Sequence, residues 1–338
     1  MEYPALKPIA SSVPSPAQGS VVDAPVRLVQ LHRDDAERTR RELIDGLVAA
    51  QATASPKFLY DALGSRLFEA ITELPEYYPT RTEAAILSAN ALAIAQAIGH
   101  VGTLVDLGAG NCAKALRLMP MLRPARYVAV DISVGFLEQA LTDVQRQHPE
   151  LDVAGVGLDF SSALALPPDI VLGRPVFFYP GSSIGNFTPA QAEPFLDSVR
   201  RQAIGGGLLI GVDLIKAIEH LEPAYDDSLG VTAAFNLNLL RHLNRLIGSD
   251  FEPRDWRHVA FFNPEASRIE MHLEARRALA VRWPEGERRF EAGERLHTEN
   301  SYKYSVERFA ALLQSAGFSR TRCWVDAQGW FAVFWAQA

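Results

Sequence analysis

The chain has little cysteine: of its 338 residues, only Cys112 and Cys323 are of this type. They lie far apart, and no paired-cysteine or cysteine–histidine spacing occurs, so the sequence predicts neither a disulfide framework nor a metal site. Cys112 follows a glycine-rich turn, where a helix N-terminus could lower a thiol pKa, but a packing role is the simpler interpretation. Because unpaired cysteines fit a reducing compartment, we expect a cytoplasmic protein.

Long apolar runs and an excess of basic charge are also missing. No run of about 18 apolar residues occurs, so we expect neither a membrane-spanning helix nor a membrane partner. The 33 Lys and Arg face 40 Asp and Glu, and this net charge of −7 argues against a nucleic-acid partner. Residues 1–27 are rich in proline and alanine without the pattern of a signal peptide, which predicts a flexible tail.

From residue 103 onward, short apolar strands alternate with helical segments. Strands are predicted at 103–106, 127–131, 153–158, 175–179 and 207–213, with helices between them at 111–123, 133–147 and 189–204. This alternation predicts an α/β fold, a doubly wound parallel sheet with helices on both faces. Ligands bind such sheets at the carboxyl ends of the strands. Residues 305–315 are then typical of a helix and residues 320–336 of a C-terminal antiparallel hairpin.

The segments around this core have a different pattern. Helices are predicted at 33–52, 56–74 and 80–98, the last with Thr80 as N-cap and Glu83 completing a capping box. After residue 217 the alternation stops, and the pattern predicts a helix at 232–246 and antiparallel strands at 260–263, 268–275 and 278–283. We therefore expect a second, α+β unit.

The most informative motif is the turn Asp106-Leu107-Gly108-Ala109-Gly110. It joins a strand to a helix, where glycines let the backbone approach a ligand closely. Asp131 ends the next strand, about 20 residues further on, where an acid can hold the hydroxyl pair of a ribose. The motif therefore predicts an adenosine cofactor.

The glycine turn alone also fits the G-x-G-x-x-A form of a dinucleotide site, so a nicotinamide enzyme remains an alternative at this point. Asp106 could also be a loop cap, and Asp131 a helix N-cap. Three features favour S-adenosylmethionine. Asp106 suits a cationic amino group and would repel a pyrophosphate. Asp159 and Phe160 follow the third strand, where they suit an adenine amino group and ring. The C-terminal hairpin is expected of class I methyltransferases.

Six blocks of the chain carry a more specific signal: FLYDALGSRLFEAITELPEYYPTRTE (58–83), LVDLGAGNCAK (104–114), YPGSSIGNF (179–187), GVDLIK (211–216), FNPEASRIEMHLEA (262–275) and HTENSYKY (297–304). Together they resemble the histidine-specific methyltransferases of ergothioneine biosynthesis, from about residue 30 to the C-terminus. Members of that family transfer three methyl groups from S-adenosylmethionine to the α-amine of L-histidine, giving hercynine. The resemblance implies a methyltransferase domain of residues 81–216 and 305–338 and a histidine-binding domain of residues 28–80 and 217–304, with the site between them.

The resemblance also implies which residues bind histidine. Asn186 and Tyr225 would hold its carboxylate, Glu299 and Ser301 would bind its imidazole, and Met271 would pack against the ring. The alternation of Glu299 and Ser301 puts both side chains on one face of an extended segment, which a two-pronged grip requires.

Two tyrosines complete the implied pocket. Tyr60 would lie near the carboxylate, and Tyr77 would line the amine and methyl-transfer region, so both are candidate catalytic residues. Their ring faces could also stabilise a trimethylammonium product. We expect no covalent nucleophile and no obligatory metal.

The implied cofactor contacts follow the strand ends. Asp106 and the glycine turn with Gly108 and Gly110 would bind the methionine end, and Asp131 would bind the ribose. Asp159 and Phe160 would bind the adenine. Gly181 and Ser182 would border the sulfonium region, and Lys114 belongs to the same cofactor site. The family implies a monomer. Two alternatives remain open: the same scaffold acting on another aromatic amino acid such as tryptophan, and a non-catalytic cofactor-binding regulator.

Overall fold

The computed structural model describes residues 26–31, 36–161 and 163–338. Residues 1–25 of the predicted tail therefore lie outside the described residues. Arg27, the last residue of the predicted tail, instead begins a strand. The strands are β1 (Arg27–Gln30), β2 (Thr103–Leu107), β3 (Arg126–Asp131), β4 (Asp152–Gly157), β5 (Pro175–Tyr179), β6 (Gly207–Asp213), β7 (Trp256–Asn263), β8 (Arg268–Ala275), β9 (Leu279–Trp283), β10 (Gly286–Phe290), β11 (Arg295–Tyr302), β12 (Arg320–Val325) and β13 (Phe331–Gln337).

The helices are α1 (Ala36–Val48), α2 (Ala62–Thr72), α3 (Tyr78–Ala89), α4 (Ala91–Ile98), α5 (Ala113–Leu116), α6 (Met119–Leu122), α7 (Val134–Gln147), α8 (Pro189–Gln202), α9 (Ile218–Leu221), α10 (Val231–Ile247) and α11 (Val306–Ser315). Short 3₁₀ helices lie at Pro56–Leu59, Ser183–Asn186 and Pro253–Asp255. Within the described ranges, no helix is both long enough and apolar enough to cross a membrane.

Eight strands form the main sheet, in the order β1-β4-β3-β2-β5-β6-β13-β12. The strands from β1 to β6 pair in parallel, whereas β13 runs antiparallel to both β6 and β12. The predicted doubly wound sheet and its C-terminal hairpin are thus confirmed. The order reverses between β2 and β5, and such a switch point opens a ligand crevice at the carboxyl ends of the two strands.

The main sheet is buried on both faces, which explains its near-continuous apolar strands. Every residue of β2, β5 and β6 is buried. Alternate residues enter two different cores: Val105 and Phe177 contribute to one, and Leu104 and Phe178 to the other. Helices on both sides supply the rest of these cores.

The remaining elements surround a third core. The antiparallel sheet β11-β8-β7 and the hairpin β9-β10 pack with α1, α2 and α10 around Trp256, Phe235 and Leu239, all of which are buried. The expected α+β unit is therefore present. The prediction that residues from 28 onward belong to it was wrong at its first strand, because β1 pairs with β4 in the main sheet.

Several predicted boundaries were wrong for identifiable reasons. The helix predicted to start after Thr80 begins at Tyr78, because Pro79 occupies its first turn, and it gives way to α4 at Asn90. The helix predicted at 111–123 is two short helices, preceded by Cys112 in the left-handed conformation. Strands β10 and β11 were not predicted, because alternation is weak in segments that combine charged and polar residues.

Candidate active site

The glycine turn after β2 holds Asp131 at the end of β3. Gly108 and Gly110 have φ angles of 70° and 52°, a left-handed region that favours glycine. The amide of Gly110 donates to Asp131 Oδ2 at 3.0 Å, and the amide of Ser133 donates to Oδ1 at 2.9 Å. Burial raises the pKa of Asp131, and these amides partly oppose it. Each carboxylate oxygen keeps a lone pair with which it can accept a hydrogen bond from a ribose hydroxyl.

Asp106, at the start of the same turn, is buried and only half satisfied. The hydroxyl of Tyr127 donates to its Oδ2 at 2.8 Å, but Oδ1 has no hydrogen-bond partner among the described residues. Burial raises the pKa of Asp106 to about 7, against the effect of the Tyr127 hydrogen bond. A buried acceptor without a partner is costly, so this oxygen fits the ammonium group of S-adenosylmethionine.

The end of β4 carries the predicted adenine contacts. The Ser161 hydroxyl donates to Asp159, and Lys57 Nζ lies 3.2 Å from its Oδ2. Burial alone would raise the pKa of Asp159, but Ser161 and Lys57 outweigh it and hold the pKa below its usual value. The ring of Phe160 packs on Tyr179, with ring centroids 5.8 Å apart. A Cβ atom on Gly108 would lie 3.8 Å from the Phe160 ring, so the two predicted cofactor contacts adjoin each other.

Beyond β5, Gly181 and Ser182 both adopt positive φ, and Glu83 braces this turn. The buried Glu83 carboxylate accepts from the amide of Gly181 at 2.7 Å and from Lys114 Nζ at 2.9 Å. A Cβ atom on Gly181 would lie 2.7 Å from Lys114 Nζ, so a side chain there would displace this amine. The predicted capping-box role of Glu83 was wrong: its carboxylate instead connects α3 to the β5 turn.

Strand β11 places Glu299 and Ser301 on one face of the smaller sheet, with Met271 directly opposite Glu299 on β8. Glu299 is only 8% exposed, and its Oε2 has no hydrogen-bond partner within the described part of the chain. Burial raises the pKa of Glu299 to about 7, partly offset by the charge of Lys303. This buried carboxyl group is therefore available to a ligand.

Lys303 is a central residue of the site that the sequence did not predict. Its Nζ donates to Asp213 Oδ2 at 2.7 Å, to Ser301 Oγ at 2.9 Å and to the Tyr225 hydroxyl at 3.0 Å. The Tyr225 and Ser301 hydroxyls are in turn 2.8 Å apart. All three protons of the ammonium group are thus used, and two predicted substrate contacts are joined by a fully buried charge.

Asp213, the last residue of β6, balances that charge. Lys216 Nζ lies 2.6 Å from its Oδ1, and the Tyr78 hydroxyl donates to Oδ2 at 2.7 Å. Burial would raise the pKa of Asp213, but Lys303 and Lys216 hold it below its usual value. Burial also lowers the pKa of Lys216 to about 8. The two lysines share one carboxylate, but only Lys303 reaches the Ser301 and Tyr225 hydroxyls.

Two further tyrosines form an aromatic wall. The ring of Tyr60 packs edge-on against Phe68 and Phe235, each at 5.5 Å between centroids. Tyr77 packs against Tyr225 at 6.3 Å. Burial raises the pKa of both Tyr60 and Tyr77, reinforced at Tyr60 by Glu299 and at Tyr77 by Tyr225. Burial therefore favours the neutral phenol at both positions.

The turn that carries Asn186 packs closely against β11. It ends the 3₁₀ helix Ser183–Asn186 and is half-buried. A Cβ atom on the preceding Gly185 would lie 2.9 Å from the Tyr302 carbonyl oxygen and 3.4 Å from Ser301 Oγ. Glycine at this position therefore brings the turn after β5 against the strand that carries Glu299 and Ser301.

The strand order, the glycine turn and the acids at the carboxyl ends of β2, β3 and β4 define a class I S-adenosylmethionine-dependent methyltransferase. The model of the family described as "Histidine-specific methyltransferase, SAM-dependent" matches residues 39–338. The chain belongs to this family.

Two curated relatives agree with this assignment. The chain is 41% identical to the histidine N-alpha-methyltransferase of Mycolicibacterium smegmatis, across 88% of its own length and 94% of the relative. It is 32% identical to ergothioneine biosynthesis protein 1 of Neurospora crassa, across 79% of its length and 31% of that larger protein. Among solved structures, the CcbJ methyltransferase of Streptomyces caelestis aligns with a TM-score of 0.46 at 18% identity, covering 82% of this chain and 99% of that one.

Proposed function

We propose that this protein transfers methyl groups from S-adenosylmethionine to the α-amine of L-histidine, three times, giving hercynine for ergothioneine biosynthesis. The observation that carries the proposal is the buried Glu299 carboxyl group, which has an unpartnered oxygen and lies on the same face as Ser301. An imidazole has two ring nitrogens, and this pair offers a partner to each.

The hydroxyl pair beside Lys303 supports recognition of the amino-acid end. Tyr225 and Ser301 each accept a hydrogen bond from Lys303, and one of them donates to the other. One hydroxyl proton of the pair is therefore left for a ligand. When Ser301 donates to Tyr225, the remaining proton is that of Tyr225, which with the amide of Asn186 can meet a carboxylate without a competing anion. Ser301 then keeps a lone pair that can accept from a ring N–H.

The cofactor residues described above fit S-adenosylmethionine, which supplies a sulfonium methyl group when it is bound. Asp106 would hold its ammonium group, Asp131 its ribose and Asp159 with Phe160 its adenine. Lys114, 2.9 Å from Glu83 and beside Gly181, would meet its carboxylate. Tyr60 and Tyr77 would line the path of the acceptor amine, exclude water and stabilise the growing cationic product.

The test is an assay of the purified protein with S-adenosylmethionine and each of the twenty amino acids, read by mass spectrometry. We expect mono-, di- and trimethylated histidine with stoichiometric S-adenosylhomocysteine. Preferential methylation of tryptophan would contradict the proposed substrate. Failure to form S-adenosylhomocysteine with any amino acid would indicate a cofactor-binding regulator.

We further propose that the unit around the third core, without β1, is the histidine-binding domain, and that the enzyme acts as a cytoplasmic monomer. The location of Glu299, Tyr225 and Tyr60 in or beside that core supports the first statement. Light scattering of the purified protein tests the second, and a dimer would contradict it.

A further inference from the structure

The reverse face of the three-stranded sheet carries a polar cluster that the proposed reaction does not use. Glu270 and His272 are two residues apart on β8, and His297 lies directly opposite His272 on β11. A bulge between His297 and Glu299 shifts the alternation, so His297 lies on the opposite face from Glu299. Three metal-ligating side chains therefore share one face.

Their spacing suits a single ion. One ligand atom from each residue can be chosen so that all three lie within 4.8 Å of one another. Glu270 Oε2 and His272 Nε2 are hydrogen-bonded at 3.0 Å, and a small separation to about 3.4 Å would match two tetrahedral ligands that each lie ~2.1 Å from a shared ion. The two imidazole rings are stacked at 4.5 Å, so one ring must turn to direct its lone pair at that ion.

The contacts of His272 and Glu270 also bear on this site. His272 is only 2% exposed, and its Nε2 is hydrogen-bonded to Glu270 Oε2, so an ion bound by these two atoms would replace that hydrogen bond. Glu270 is already oriented: its Oε1 accepts from Arg268 at 2.8 Å and from Asn263 at 2.9 Å. These contacts direct Oε2 toward His272, as outer hydrogen bonds do for metal-binding carboxylates.

We propose that Glu270, His272 and His297 form a binding site for Zn²⁺. Two imidazoles and one carboxylate are a donor set that zinc uses, whereas Mg²⁺ and Ca²⁺ prefer oxygen ligands. Motif analysis missed the site because its third ligand comes from a different strand, far along the chain. The expectation of no metal site rested on sequence spacing alone.

The proposed zinc site is linked through the backbone to the proposed histidine site that contains Glu299. His297 Nε2 lies 3.1 Å from the carbonyl oxygen of Glu299, on the far side of the bulge. An ion held by His297 braces the segment that aims the Glu299 side chain. The expected role is therefore structural, and it does not depend on histidine being the substrate.

The test uses the full-length protein after removal of metals by a chelator. Zn²⁺ is titrated by calorimetry, and Co²⁺ is titrated as a spectroscopic probe whose visible bands report the ligand geometry. We expect one equivalent of Zn²⁺ to bind and the thermal midpoint to rise, with affinity falling at least about tenfold in His272→Gln and in His297→Gln. The exposed His100→Ala is the matched control and should bind as the unaltered protein does.

Two results would overturn the proposal: no saturable Zn²⁺ binding to the unaltered protein, or unchanged binding in both His272→Gln and His297→Gln. Circular dichroism checks that each variant is folded. If His272→Gln unfolds because its position is buried, the half-exposed His297→Gln decides. These readouts do not involve methyl transfer, so the metal site and the proposed function can fail independently.

Discussion

At the residue scale, the charge state of Glu299 governs how tightly the proposed site of Glu299, Ser301 and Tyr225 binds histidine. The carboxyl group is buried with a pKa raised to about 7, whereas a free histidine side chain has a pKa of about 6.5. In acid both groups carry a proton, and the ring N–H loses its carboxylate acceptor. The usual benefit of a charge-assisted hydrogen bond, about 1.5–3 kcal/mol, is then lost.

We therefore expect histidine affinity to fall as the pH drops below about 6.5, because Glu299, with its pKa of about 7, and the free histidine ring, with its pKa of about 6.5, are then both mainly protonated. Calorimetry with S-adenosylhomocysteine present measures this dependence. Glu299→Gln should bind histidine about tenfold or more weakly near neutral pH, lose the acid dependence and leave S-adenosylhomocysteine affinity unchanged. An unchanged histidine affinity in this variant would remove Glu299 from the substrate site.

Lys303 and Lys216 allow a matched comparison at the same scale. Both bind Asp213 in the interior, so each substitution by methionine leaves that carboxylate one lysine. Only Lys303→Met also removes the donor to Tyr225 and Ser301. We expect Lys303→Met to raise the histidine KM about tenfold or more, and Lys216→Met to change it little. Equal effects of the two substitutions on KM, with both proteins folded, would show that Lys303 serves only to balance Asp213.

At the element scale, the N-terminus of α2 joins two helices through one carboxylate. Asp61 caps α2 by accepting from the Gly64 amide at 2.8 Å, and it also accepts from Asn238 on α10 at 2.7 Å. Arg245, about two helical turns further along α10, pairs with the same carboxylate. Asp61 therefore fixes the position of Tyr60 and of the preceding 3₁₀ helix, Pro56–Leu59, relative to α10.

Substitution of Asp61 by alanine should lower the free energy of unfolding by about 1–2 kcal/mol, the usual cost of losing such a cap. Chemical denaturation measures this loss. Asp61→Asn keeps an acceptor for the Gly64 amide and is the control, which should recover part of the stability. If Asp61→Ala unfolds at the same denaturant concentration as the unaltered protein, the cap contributes nothing measurable.

Elements with strong periodicity could be predicted from the sequence, and elements fixed by long-range contacts could not. The five parallel strands were predicted because each is a short apolar run between helices. β1 was missed because its four residues become a strand only by pairing with β4, more than a hundred residues away. The capping role predicted for Glu83 was wrong for the same reason: its partners Gly181 and Lys114 lie far from it in the sequence.

The predicted site residues divide in the same way. Asp106, Asp131 and Asp159 lie at or just beyond the carboxyl ends of strands in a recognisable sheet, so elementary topology places them at one edge. The acceptor residues were indicated by resemblance alone, since Tyr60, Tyr225 and Glu299 come from separate elements. Asp213 also ends a parallel strand, but Lys303 escaped both approaches, because a buried lysine is recognisable only when its carboxylate partner is known.

At the scale of the whole molecule, cofactor binding should couple stability to pH through Asp106. In the free protein, the folded pKa of about 7 exceeds the usual unfolded value of about 3.9, so ionising this carboxyl group costs stability as the pH rises between them. A bound ammonium group reverses the preference of Asp106 for its neutral form, because the ammonium group pairs with the ionised carboxylate. Binding is therefore expected to strengthen as the pH rises through about 7.

The increase in thermal midpoint produced by saturating S-adenosylhomocysteine should consequently be larger at pH about 8 than at pH about 6, because ligand stabilisation follows affinity. Asp106→Asn keeps the side-chain shape but cannot ionise, so its smaller increase should be the same at both pH values. Asp197→Asn is a control in an exposed helical ion pair away from the strand ends, and it should keep the pH dependence. An equal increase for the unaltered protein at both pH values would exclude Asp106 as the anchor of the ammonium group, since no change in its charge would then accompany binding.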